Sequence, residues 1–85
     1  MKLPVIKHLA HFALEKDEDF LIETAETLEN LTECEGLKDA EIDVIGEVLS
    51  NLYGAIEVMA EVHNGVSEKE ALNGFMKRVL GAIDK

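Results

Sequence analysis

The chain has 85 residues, 47% of them hydrophobic, with no Trp, one Pro and a formal net charge of −10. That bounds it to one domain, makes it too apolar for a disordered tail, and denies it the basic footprint that nucleic acid or an anionic membrane surface requires. With only three Phe and one Tyr the core must be mostly aliphatic, which favours helices over a sheet.

Pro4 suits the first turn of a helix, where its missing N–H would have no partner anyway. Val5, Ile6, Leu9, Phe12 and Ala13 then fall on one side of a wheel, so the first helix is predicted over about 4–15. Across "KDED", residues 16–19, the apolar phase shifts. Asp17 or Asp19 can cap a new helix there, although one long bent helix through this point is the alternative. The second helix is predicted over about 18–34, with Leu21, Ala25, Leu28 and Leu31 on one face and Glu23, Glu26, Asn30 and Glu33 on the other.

"EGLKD", residues 35–39, is a break: Gly36 suits a left-handed helix end and Asp39 an N-cap. The third helix should run from there to "HNG", residues 63–65, about 24 residues and roughly 36 Å long. Ile42, Ile45, Leu49, Leu52, Ile56 and Met59 recur along it in steps of three and four, as a core or a dimer seam. Val44, Val48, Ala55, Val58 and Val62 widen the apolar arc to roughly 200°, twice what a helix lying on one surface needs. Asp43, Glu47, Glu57 and Glu61 fill the rest. Such a helix should be central and packed on two sides, one of them by a second copy of the chain, since small helical domains gain stability by oligomerising. Gly46, Ser50 and Gly54 add a ridge of small residues that lets another backbone approach. "SEKE", residues 67–70, fits a capping box. It opens a fourth helix over about 68–83, with Ala71, Leu72, Phe75, Met76, Val79, Leu80 and Ile83 as its stripe.

Charge is uneven. Residues 15–61 hold 15 acids against Lys16 and Lys38, while residues 1–14 carry Lys2 and Lys7 and no acid. An acidic middle solubilises the chain and can steer a basic partner. The longest uncharged run, Val48–Ile56, is far too short to span a bilayer. No basic-then-apolar leader pattern opens the chain, so the expected location is the cytoplasm.

Few residues offer chemistry. His8, His11 and Glu15, at i, i+3 and i+7, share one side of the first helix and form a candidate divalent-metal set. The acid pairs Asp43/Glu47 and Glu57/Glu61 read as a solvated face, since like charges at this spacing cost only a few tenths of a kcal/mol. His63 suits the C-terminal end of the third helix dipole. Cys34, between Glu33 and Glu35, is expected to be a slow thiol, a small buried hydrophobe or a bystander. One Cys excludes an internal disulfide. No CxxC, phosphate-cradling glycine loop or nucleophile elbow is present, and "DEDFLIE" lacks the Gly and later ligands of a calcium loop.

Three stretches, "MKLPVIKHL", "LKDAEIDVIGEVLSNLYGAIEV" and "KEALNGFMKRVLGAID", resemble a family of short, acidic bacterial proteins of unknown function, over nearly the whole chain. The resemblance implies no activity. Family genes lying near thioredoxin-like and peroxide-reducing proteins would imply a redox partner, a role for which Cys34 in its acidic setting is poorly suited. The resulting expectation is an all-α bundle of about four helices around helix 3, a homodimer, acting as a non-enzymatic interaction or adaptor protein without a cofactor. The rivals are a metal-binding protein using His8, His11 and Glu15, and an accessory of thiol–peroxide metabolism.

Overall fold

The computed structural model describes residues 2–83, and their side chains as far as Val79. Four helices follow one another: α1 (Leu3–Glu15), α2 (Asp19–Leu31), α3 (Asp39–His63) and α4 (Glu68–Ile83), with no strand among the described residues. α3 is the longest, and α1, α2 and α4 all pack against it. The molecule is thin, 42 × 35 × 17 Å, so much of its apolar surface lies near a face.

Local chemistry sets the helix ends. Pro4 occupies the first turn of α1. Lys16 leaves the helical region at φ −111°, ψ −86°, so α1 and α2 are separate helices rather than one bent rod. Of the two acids considered for the next start, Asp17 serves: its carboxylate accepts the Asp19 N–H at 2.9 Å. α2 stops at Leu31, three residues before its predicted end, where the Cys34 N–H closes a tight turn onto the Leu31 carbonyl at 3.0 Å.

Two expectations at the next break fail. Gly36 is not left-handed; among the described residues only Gly65 has a positive φ, 93°. Lys38, not Asp39, precedes α3, and Glu41 reaches back to accept the Lys38 N–H at 2.8 Å, the acidic half of a capping box. At the other end of α3, Val66 N–H donates to the Glu61 carbonyl at 3.2 Å and Gly65 N–H to that of Val62 at 3.0 Å. This nested pair defines a Schellman end, and it needs a residue at positive φ, which Gly supplies without strain. Ser67 Oγ then accepts the Glu70 N–H at 3.2 Å, starting α4 as its motif predicts.

The core gathers on the second half of α3. Leu52, Gly54, Ala55, Val58 and Met59 are buried there, joined by Ile6, Ala10 and Ala13 of α1, Leu21 and Ala25 of α2, and Ala71, Leu72 and Phe75 of α4. The buried stripe of α1 is turned from the predicted one. Ala10 enters, while Val5 and Phe12 stay outside, because two alanines let α1 lie close to α3. Closest approach falls at Gly54, where a Cβ would stand 2.8 Å from Ile6 Cδ1 and 3.1 Å from Phe75 Cζ. The roughly 1 kcal/mol that a mid-helix glycine costs is offset by seating both neighbours. Gly46 meets nothing within 4 Å, so it has no such role. On α4, Met76 and Val79 pack on the core edge, while Leu80 and Ile83, predicted on the same stripe, lie outside the described side chains.

Candidate functional site

The predicted metal set does not assemble. Among the described residues no three His, Cys, Asp or Glu side chains stand together so as to hold a metal ion. His11 turns instead to α4, where its Nε2 lies 3.1 Å from Glu68 Oε1, and His8 and Glu15 remain exposed on α1. The other paired histidine is also a strut: His63 Nε2 lies 3.1 Å from Glu18 Oε2, joining the end of α3 to the start of α2. Helical spacing had put His8, His11 and Glu15 on one side of a cylinder, but α4 brings the Glu68 carboxylate to His11.

The acid pair Glu57/Glu61 is not merely solvated. Arg78 of α4 reaches both, at 3.1 and 3.9 Å, with its guanidinium 6.0 Å from the centre of the Phe75 ring. Cys34 is exposed in the α2–α3 turn, which removes the buried-hydrophobe reading. Tyr53 has its phenol raised above the ordinary 10.0, chiefly by hydrogen bonding with Glu29, with desolvation and the Glu29 charge acting in the same direction.

What remains is a surface. α1 runs beside the second half of α3, from Lys2 at Asn51 to Ala13 at Met59 and His63. Its 13 residues are spent there, so the first half of α3 extends past it. α2 runs the other way, from Glu18 at His63 to Leu31 near Ala40 and Ile45, and covers one side only. The six seam residues divide accordingly. Leu52 and Met59 are buried within the chain, Leu49 and Ile56 pack on the core edge, and Ile42 and Ile45 are half-buried outside the core. The uncovered apolar residues belong to the widened arc instead. Val44 is 63% exposed, the highest value of any exposed large hydrophobic residue described, and Val48 is 42% exposed.

Val44 stands between two shallow hollows. One, of about 420 Å³, is lined by Lys2 and Val5 from α1 and by Asp43, Val44, Glu47, Val48 and Asn51 from α3. The other, of about 490 Å³, lies between Leu31, Leu37, Ala40, Val44 and Ile45. Asn51, which periodicity passed over, organises the first. It is 6% exposed, accepts the Lys2 N–H and donates through Nδ2 to the Glu47 carbonyl at 3.0 Å. A signal did exist, since on the wheel Asn51 falls between Val44, Val58 and Val62, a lone polar residue inside an apolar stripe.

Fold and surface together define a small acidic four-helix domain with an unshielded apolar flank on its central helix. No described helix is long and apolar enough to cross a membrane. The chain belongs to a family of unknown function, DUF6952, which matches residues 1–84. No curated protein and no solved structure matches it.

Proposed function

We propose that the chain is a non-catalytic interaction module that works as a homodimer, with the first half of α3 turned toward the second copy and the acidic faces left to hold a protein partner. The observation that carries this reading is Val44. It continues the stripe of Ala55 and Val58, both fully shielded, yet stands in the open where α1 has ended. Removing a valine side chain from water is worth on the order of 1.5 kcal/mol, and a thin 85-residue domain has little stability to spare. A second copy shields Val44 and Val48 on both chains at once.

Light scattering at micromolar concentration tests the reading. The expected mass is twice 9.4 kDa, and Val44→Asp should return it to that of one chain while leaving helix content intact. A wild-type mass of 9.4 kDa at every concentration rejects the dimer.

A further inference from the structure

We infer that the two copies meet about a two-fold axis at the level of Val48, α3 antiparallel to α3, with Lys2 of each chain facing Asp43 and Glu47 of the other. This rests on the dimer proposed above and specifies its interface.

The hollow beside Val44 carries the argument. Its floor is Val5, Val44 and Val48, and its charged residues are one cation, Lys2, and two anions, Asp43 and Glu47. Among the described residues none of these three charges takes part in an ion pair within the chain. A patch that carries both its own cation and its own anions is self-complementary, as an interface between identical chains related by a two-fold must be.

The levels along α3 agree. Lys2 is tied at the level of Asn51 by its backbone bond. Antiparallel pairing about Val48 carries that level onto Ile45, between Asp43 and Glu47. It also brings Val48 against Val48, and the apolar floors face each other. The Lys2 side chain is free to reach across, because only its backbone N–H is engaged at Asn51. In so acidic a chain, two copies approaching by any face without a cation would meet with repulsion.

Charge exchange tests the geometry. Lys2→Glu alone, and Asp43→Lys with Glu47→Lys, each set like charges against like and should weaken self-association at least tenfold at low salt. An equimolar mixture of the two variants restores both sets of opposite charges, so sedimentation should again show a dimer near wild-type strength. Circular dichroism checks that each variant keeps its helices; if one does not, Lys2→Gln and Glu47→Gln remove attraction without adding repulsion, and each should weaken association by a smaller factor with no recovery expected on mixing. A wild-type dimer whose strength none of these changes alters overturns the interface and leaves the dimer standing. Charge-reversed variants that weaken association but do not recover on mixing overturn the two-fold pairing. A wild-type monomer overturns both.

Discussion

The side chain of Asn51 accepts the backbone N–H of Lys2 at 2.8 Å across 49 residues of chain, and passes a second bond to the Glu47 carbonyl. One buried amide thus fixes where α1 begins along α3, and so where α3 runs out of cover. Asn51→Ala should lower the stability by about 1 kcal/mol through the lost bonds, or roughly 4–8 °C in melting temperature for a domain of this size. Asn51→Leu, which refills the volume, still loses both bonds and should recover only part of the loss. Thermal melts followed at 222 nm give the ranking.

The two glycines of α3 should respond with opposite signs. Gly46→Ala enters open space and removes a helix penalty, for a gain of up to about 1 kcal/mol. Gly54→Ala gains the same propensity but drives a methyl against Ile6 Cδ1 and Phe75 Cζ, whose side chains are buried in the core and must shift to admit it. Overpacking costs about 1–3 kcal/mol, so the net change is a loss, which Ile6→Val should partly restore. Denaturant midpoints of the three variants check this.

Leu52→Asp should unfold the chain. The residue is 3% exposed, and an unpaired carboxylate there costs several kcal/mol out of a total of about 5–15. Ile56→Asp, at the core edge, should be less severe. Glu57→Gln removes one end of an exposed pair with Arg78 and should cost less than about 1 kcal/mol. Urea titration of the three variants orders them, and a larger loss for Glu57→Gln than for Leu52→Asp would reverse the assigned faces of α3.

Tyr53 is the sole tyrosine in a chain without tryptophan, so absorbance at 295 nm titrates it alone. Its midpoint should lie above 10.0, and Glu29→Gln should bring it down toward that value. The raised value means that the fold favours the neutral phenol. The stabilising effect is therefore complete below about pH 10, where the unfolded phenol ionises, and disappears as pH rises through the folded midpoint.

The helices and most of their ends were legible because their causes are local. Apolar spacing, Pro4, Ser67 with Glu70, and Gly65 act within a turn or two of the chain. Gly36 and Asp39 misled for the same reason: each has the right chemistry for a cap, but the turn closed by Cys34 and the reach of Glu41 left them other positions. The wide apolar arc of α3 was also legible, since it needs only the angle per residue. Which part of it would be shielded was not, and the candidate seam proved to lie largely against the chain's own helices.

From residue order alone came an acidic, all-helical chain with a third helix greasier than its length on one surface requires. Tertiary structure decided that His11 belongs to Glu68, that Arg78 bridges Glu57 and Glu61, that Gly54 seats Ile6 and Phe75, and that Val44 is left uncovered by its own chain. Periodicity reports the direction in which a side chain leaves its helix. What meets it there depends on how far a neighbouring helix extends and what anchors it, and here α1 is held by Ile6, Ala10 and Ala13 in the core and by the bond from the Lys2 N–H to Asn51 at its start.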